Sequence, residues 1–125
     1  MSCEVLFGSG EQCITEDVTP VTAFSFNPPP NETTRLTAKV LAVSHDRVTR
    51  VWEWSARVED VDGVPSIKGQ GLGLIVNGDV AAANWDCYLE VVSGEVLFKV
   101  KGANNRRIKW HIEVCGVGMQ PPAAP

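Results

Sequence analysis

Hydrophobic and polar residues alternate with a period of two along most of the chain, a pattern typical of β-strands that bury one face. Segment 81–115 shows it most clearly and predicts three consecutive strands in an antiparallel meander. Turn-forming residues at 93–94 and 102–105 separate these strands. The alternation places Trp85 and Trp110 on the buried side. Because such a sheet has one apolar face, we expect a second layer to cover it.

Four further strands are predicted ahead of this meander. They are residues 21–26, 33–43, 48–59 and 67–76. Glycines inside the last of them indicate a bulge or a close backbone approach. Reversals recur every ten or so residues, and no helical period exceeds one turn. The sequence therefore predicts an all-β protein, an antiparallel β-sandwich or jelly roll of about six to eight strands with an extended N-terminal arm.

The inward-facing positions of these strands give the predicted core. Its members are Trp52, Trp54, Trp85, Leu89, Phe98, Trp110 and Ile112. Tryptophans can also stack on sugars, but all four fall on faces that the alternation predicts to be buried. Core packing is the favoured interpretation.

Three segments are predicted along the chain: a docking arm over 1–20, a β-sandwich domain over 21–117 and a flexible Pro/Ala tail over 118–125. The arm has no sustained period, and Gly8-Ser9-Gly10 interrupts it. Apolar arm residues that could dock onto a partner are Val5, Phe7, Ile14 and Val18. A simple edge strand is the more conservative interpretation of the same segment.

Composition fits one soluble domain, since the chain has 125 residues, of which 44% are hydrophobic and 21% charged. The sequence shows no membrane span and no signal or transit peptide, so we expect synthesis in the cytoplasm. A net charge of −4 argues against nucleic acid as a partner. The last predicted hairpin carries a basic stripe of Lys99, Lys101, Arg107 and Lys109. Cross-strand pairing with Asp86 and Glu90 explains this stripe without a ligand.

The four cysteines contain no C-x-x-C pair. His111 and Cys115 share a strand face, but two ligands are too few to predict a zinc site. Cys87 falls on the inward face, as a small core residue would. Cys3 and Cys13 lie in the polar arm and are candidates for a disulfide, within the arm or to a neighbouring chain.

Motifs for catalysis or cofactor binding are incomplete throughout the sequence. The glycines of 69–73 lack the Lys-Ser/Thr of a phosphate loop, and Asp60-Val61-Asp62-Gly63 lacks the rest of a calcium loop. Ser44, His45 and Asp46 are adjacent on a turn, where nucleophile and base cannot easily face each other. We therefore predict no catalytic residues, no cofactor and no metal.

The order and spacing of several short motifs resemble a small β-sandwich domain of tailed-bacteriophage structural proteins. These motifs are Thr19-Pro20, the strand Leu36–Val43, the turn and tryptophan-bearing strand after it, Asn84-Trp85-Asp86, Val100-x-Gly102 and Ile108-x-Trp110. The match covers about three quarters of the chain, roughly residues 19–114. None of the motifs is specific by itself.

The resemblance implies a virion protein that works by binding other proteins, with a homotrimer as the expected assembly. A head decoration (cement) protein on the capsid surface is the first expectation, with the major capsid protein as partner and neither nucleic acid nor membrane. The docking arm would then grip the capsid or a sister subunit. The alternative is a tail or fibre component that binds a receptor or carbohydrate. A carbohydrate-binding module or a small enzyme is the third possibility.

Overall fold

The structure is a computed structural model that describes residues 4–5 and 11–125, without the side chains of residues 4, 5, 11 and 70–77. Its described part consists of strands and one short 3₁₀ turn, Val80–Ala82. The strands are β1 (Glu4–Val5), β2 (Glu11–Thr15), β3 (Val21–Phe26), β4 (Thr33–Ser44), β5 (Thr49–Val61), β6 (Val64–Gly78), β7 (Asp86–Val92), β8 (Glu95–Lys101) and β9 (Ile108–Met119). The predicted all-β fold is confirmed.

Two antiparallel sheets form the sandwich. Sheet A has the order β1-β9-β4-β5-β6, and β2 also pairs with β9. Sheet B has the order β3-β8-β7. In sheet A, the central strands β4 and β5 alternate buried and exposed residues along most of their length. The bulges expected in the glycine-rich strand occur as register shifts between β5 and β6.

Tight turns join neighbouring strands where residues with positive φ allow the chain to reverse. Asp62 and Gly63 have φ of 52° and 85° between β5 and β6, and Ser93 and Gly94 have φ of 49° and 81° between β7 and β8. Two consecutive positive φ values are typical of two-residue type I′ hairpins, whose twist matches that of the strands. Both turns lie where the sequence predicted reversals.

The predicted three-strand meander is wrong in its last strand. β7 and β8 pair as expected, but β9 leaves sheet B and pairs with β4 from Ser44↔Ile108 to Thr33↔Met119. Segment 102–107 makes this crossing. Alternation predicts which face of a strand is buried, and the inward positions of β9 are buried in sheet A as they would have been in sheet B. The crossing also divides the predicted basic stripe: Lys99 and Lys101 lie on sheet B, whereas Lys109 lies on sheet A.

Aromatic side chains fill the space between the sheets. All seven residues that the sequence assigns to the core are buried, with exposed fractions of 6% or less. The Trp52 and Trp110 rings stack at 5.5 Å between centroids, and Trp85 packs against Trp110 at 6.3 Å. Trp54 of sheet A meets Phe98 of sheet B edge to face at 5.7 Å. These contacts join the two sheets into one core.

The N-terminal segment forms an edge strand over the residues that the structure describes there. β2 pairs with β9 from Glu11↔Ile112 to Thr15↔Ile108, and β1 pairs with β9 at Cys115 and Gly116. Thr15 is buried, and its Oγ1 accepts a hydrogen bond of 2.9 Å from the indole N–H of Trp110. The edge-strand interpretation therefore holds for residues 11–15. At the other terminus, β9 continues to Met119, two residues beyond the predicted domain boundary.

Candidate binding surfaces

The outer face of sheet A carries a group of apolar side chains near the end where β4 finishes. We call it the outer apolar patch, formed by the exposed residues Ile14, Leu41 and Val43 and the half-buried Val51. Strand register places Leu41 beside Val51, and Val43 beside Lys109, which is in turn beside Ile14. Ile14, Leu41 and Val43 are 46%, 42% and 36% exposed. The patch therefore has residues on β2, β4 and β5, and Lys109 of β9 lies between Ile14 and Val43.

Polar residues limit the patch on the side toward the middle of the sheet. His111 lies beside Leu41; its Nδ1 is 3.4 Å from Gln12 Nε2 and its Nε2 is 3.5 Å from Glu113 Oε1. The next row consists of Glu113, Lys39 and Glu53, which are cross-strand neighbours of alternating sign. An apolar surface bounded by polar residues is the arrangement expected of a protein-binding site.

Sequence reasoning missed this patch, although the chain contained a signal. Residues 40–43, Val-Leu-Ala-Val, are apolar without interruption. Alternation puts Val40 and Ala42 inside, and it therefore leaves Leu41 and Val43 outside at the end of the strand. Such a run indicates that this part of the strand is apolar on its outer face as well.

Of the four predicted docking residues, Ile14 and Val18 have described side chains, and these two lie in different elements. Ile14 is part of the outer apolar patch, while Val18 is 45% exposed in the segment between β2 and β3. Val5 is placed by its backbone pairing with β9, and its side chain is outside the described structure. Phe7 lies outside the described residues. Docking by these residues stays a prediction.

The cysteines differ from expectation. Cys115, on the outer side of β9, is disulfide-bonded. Cys13 is a free thiol in this single chain, and Cys3 lies outside the described residues. A bond from Cys13 to another chain therefore stays a prediction, whereas no sequence signal distinguished Cys115. Cys87 is free and buried, and desolvation raises its pKa to about 12.

The turn between β4 and β5 carries Ser44, His45 and Asp46, and each has a structural partner. Ser44 Oγ donates to an Asp46 carboxylate oxygen and accepts a 2.9 Å bond from the Val48 N–H. His45 Nδ1 instead accepts a 3.2 Å bond from the Arg107 N–H. The Ser44 hydrogen bond, together with the nearby Arg106, holds the pKa of Asp46 below its usual value. These hydrogen bonds stabilise the turn. The His45 imidazole and the Ser44 hydroxyl therefore bind different partners.

The segment 60–63, which resembles the start of a calcium-binding loop, also forms a turn that side-chain hydrogen bonds stabilise. Asp60 is 6% exposed, and its Oδ1 accepts 3.0 Å hydrogen bonds from the Asn31 and Gly63 N–H groups. Asn31 Oδ1 in turn accepts from the Asp62 N–H at 2.8 Å. Across the described residues, no group of three or more His, Cys, Asp or Glu side chains could hold a metal ion. The same residues contain no helix long and apolar enough to cross a membrane.

The outer face of sheet B has a different character. Tyr88 lies half-buried on the edge strand β7, beside Lys99 on β8, with Asp86 and Glu90 two residues away on either side along β7. Partial desolvation raises the pKa of the phenol, and the neighbouring carboxylates of Glu90 and Asp86 raise it further. Among the described aromatic residues, Tyr88 is the one that belongs neither to the core nor to the residues packed against it. We call Tyr88, Asp86, Glu90, Lys99 and Lys101 the tyrosine face.

Comparison with known proteins supports the fold. No protein-family model and no curated protein sequence matches the chain. Among solved structures, the tailspike protein of Acinetobacter phage vB_ApiP_P1 matches over 90% of this chain, with a TM-score of 0.50 and 15% sequence identity. A tailspike protein of Acinetobacter baumannii phage AM24 matches over 93% of the chain with a TM-score of 0.43 and 11% identity, too distant to support an argument.

The chain spans only 22% of the first tailspike and 27% of the second. At 15% identity, the first match shows a similar sandwich and leaves activity and partners open.

Proposed function

We propose that this chain is a structural module of a phage tail appendage, of the tailspike or fibre type, that holds other protein chains together. The fold match to a phage tailspike supports the assignment to a tail appendage. The proposed partners are protein chains of the virion, including further copies of this one, and the proposal includes no catalytic activity, nucleic acid or membrane.

The observation that carries a protein-binding role is the outer apolar patch. The sandwich already buries four tryptophans and both inner faces, so its fold does not require apolar residues outside. Leu41 and Val43 nevertheless lie exposed next to each other on β4, and Ile14 lies exposed on β2, on the other side of Lys109. Exposed apolar side chains that adjoin one another and are bounded by polar residues favour burial against another protein.

The disulfide at Cys115 agrees with a role outside the cell. Disulfides persist in oxidising surroundings and are rare in proteins that work in a reducing cytoplasm. A virion protein made in the host cytoplasm would acquire this bond late or after release. The bond therefore favours a component of the particle over an enzyme of the infected cell.

The head-decoration hypothesis has less support than the tail hypothesis, although the sequence analysis placed it first. The fold match is to a tailspike, and neither the fold nor the outer apolar patch specifies a capsid lattice. The major capsid protein as partner and the homotrimer consequently remain expectations from the resemblance.

Copy number and position in the particle test the tail assignment. Quantitative mass spectrometry of purified particles should find a few to a few tens of copies, and immunogold labelling should mark the tail. Hundreds of copies with label over the head would instead support decoration. Absence of the chain from washed particles would reject any role in the virion.

A pair of lysine substitutions on the same sheet face tests the patch. Leu41→Lys places a charge inside the outer apolar patch, while Ser55→Lys places one on the exposed outer face of β5 outside it. We expect Leu41→Lys to reduce incorporation into particles at least tenfold and Ser55→Lys to leave it unchanged. Equal incorporation of both variants would show that the patch does not hold the chain in place.

A further inference from the structure

Two arginines lie side by side on the outer face of sheet A. Arg35 of β4 and Arg57 of β5 are directly opposite each other in the strand register, and both are exposed. We call them the arginine pair. Opposite residues on neighbouring antiparallel strands have Cβ atoms about 5 Å apart, and like charges at such positions destabilise a sheet. The pair is therefore unfavourable for the isolated fold.

The arginine pair has no acidic partner within the part of the chain that the structure describes. The ion pairs found there involve other cations, namely Lys68, Arg106, Arg107 and His111. Glu59 lies two residues from Arg57 along β5, but its carboxylate is 3.6 Å from Lys68 Nζ. The two guanidinium groups thus keep their N–H donors available for a ligand.

The neighbours across the sheet leave the arginine pair accessible. Val117 of β9 lies beside Arg35, and Gly69 of β6 lies beside Arg57. A Cβ atom placed on Gly69 would meet no atom within 4 Å, so open space adjoins Arg57 on that side. Neither neighbour has a side-chain acceptor that could compete for the guanidinium groups.

A single carboxylate fits this arrangement better than a polyanion does. Guanidinium groups bind carboxylates through paired N–H···O hydrogen bonds, and two adjacent groups can hold one carboxylate between them. Toward the outer apolar patch, Glu53 and Glu113 lie two rows from the pair, on either side of Lys39. The chain also has a net charge of −4. A nucleic acid or another extended polyanion would be repelled beyond its first contact.

The arginine pair and the outer apolar patch share one face of the sheet. Arg35 and Leu41 both point outward from β4, six residues apart, which is about 20 Å along an extended strand. We infer that a partner protein that contacts the outer apolar patch also places an acidic side chain between Arg35 and Arg57, which bind its carboxylate. This inference rests on the proposed protein-binding function.

An NMR titration of the full chain tests the arginine pair without the partner. The probes are triglutamate, trilysine and inorganic phosphate at equal ionic strength, and the readout is the arginine Nε–H signals. We expect triglutamate to shift the Arg35 and Arg57 signals saturably and trilysine to shift neither. Exposed Arg47, between β4 and β5, is the control signal and should not respond saturably.

Three results of this titration would overturn the inference. They are the absence of saturable shifts at the arginine pair, an equal response at Arg47, and tighter binding of inorganic phosphate than of triglutamate. The last result would show that the site takes a free phosphate rather than a carboxylate.

Substitutions distinguish a binding role from a structural one. Arg57→Gln should weaken triglutamate binding about fivefold, Arg57→Lys should weaken it less because the charge remains, and Arg47→Gln should have no effect. The urea midpoint of Arg57→Gln should be no lower than that of wild type, because the variant removes a like-charge contact. A lower midpoint with unchanged triglutamate binding would show that Arg57 is structural and would overturn the inference.

Incorporation into particles separates this inference from the proposed function. Arg35→Glu would repel the partner's carboxylate and should reduce incorporation about tenfold. The control Ser55→Lys adds a positive charge near the arginine pair, which is compatible with a bound carboxylate. If Leu41→Lys is excluded while Arg35→Glu is incorporated normally, the carboxylate site is wrong and the outer apolar patch stands. If both variants are incorporated normally, both proposals fail.

Discussion

The two outer faces of the sandwich differ although the two inner faces are alike. Inside, both sheets contribute aromatic and branched aliphatic residues to a single core. Outside, sheet A exposes Leu41 and Val43, whereas sheet B surrounds Tyr88 with charged residues of both signs. The difference shows that the alternation of apolar and polar residues accounts for the shared core. It leaves the identity of the outward residues open, so these residues can form binding surfaces. Each face can therefore be altered without the other if the core between them stays intact.

The largest expected effect comes from placing a charge on the inner side of β4, in comparison with the same charge on its outer side. Val40 is 1% exposed and Leu41 is 42% exposed, and they are neighbours on β4. Val40→Lys would bury an ammonium group and should destabilise the fold by more than about 4 kcal/mol. Leu41→Lys should change the free energy of unfolding by less than about 1 kcal/mol. Urea unfolding followed by tryptophan fluorescence measures both; similar losses would contradict the assignment of Leu41 to the outside.

The next effect concerns the core that both faces share. Trp110 is completely buried and contacts Trp52, Trp85 and the Thr15 hydroxyl. Trp110→Ala should cost about 3–5 kcal/mol. Thr15→Val removes only the acceptor of the indole N–H and should cost about 1–3 kcal/mol. If the two losses in urea were equal, packing of the indole ring would contribute nothing beyond its hydrogen bond.

Reactivity toward alkylating agents should differ between Cys87, on the inner side of sheet B, and Cys13, on the edge strand β2 of sheet A. With a pKa of about 12, Cys87 has about a thousandfold less thiolate than a cysteine at the ordinary 9.0. Half-buried Cys13 also has a raised pKa, caused by desolvation, but it is partly accessible. Iodoacetamide at pH 8, followed by peptide mass spectrometry, should label Cys13 first, and Cys115 only after reduction. Labelling of Cys115 without reductant would show that it is not in a disulfide.

The smallest effect is a pH dependence at the turn that adjoins the outer apolar patch. The pKa of Asp46 is lowered in the folded protein, chiefly by the Ser44 hydrogen bond. A lowered pKa contributes stability above the ordinary value of 3.8, and this stability is lost as the pH falls through the folded pKa. Asp46→Asn should therefore lose slightly less stability than wild type on acidification below about pH 4. Thermal melts at several pH values measure how stability changes with pH, and the exposed Glu95→Gln is the matched control. Unchanged acid sensitivity in Asp46→Asn would contradict the contribution assigned to Asp46.

Much of the fold could be predicted because side-chain alternation reports burial directly. It identified both faces of β4 and β5 and all seven proposed core residues, and Gly63 and Gly94 lie at reversals that turn chemistry predicts. The sheet assignment of β9 could not be predicted this way. Its inward residues would be buried equally well beside β8 or beside β4, and only the three-dimensional path of residues 102–107 decides between them.

The candidate surfaces were less predictable for a related reason. The outer apolar patch forms only because β9, which is distant in sequence from β4, lies beside it and brings β2 to the same side of the sheet. The run of residues 40–43 was a readable signal for the first surface. Tyr88 was overlooked although its charged neighbours were predicted, since one tyrosine in a strand is ordinary.

The position of β9 determines when the molecule can fold. β4 pairs with β9 along one complete side, and the paired residues are 64 (Ser44 and Ile108) to 86 (Thr33 and Met119) positions apart in sequence. During synthesis, the hairpins from β4 to β8 can close locally, but sheet A gains its interior strand only after residue 119 has left the ribosome. We therefore expect refolding on the slow timescale of proteins with long-range strand pairing, and a nascent chain halted near residue 105 should remain open to protease.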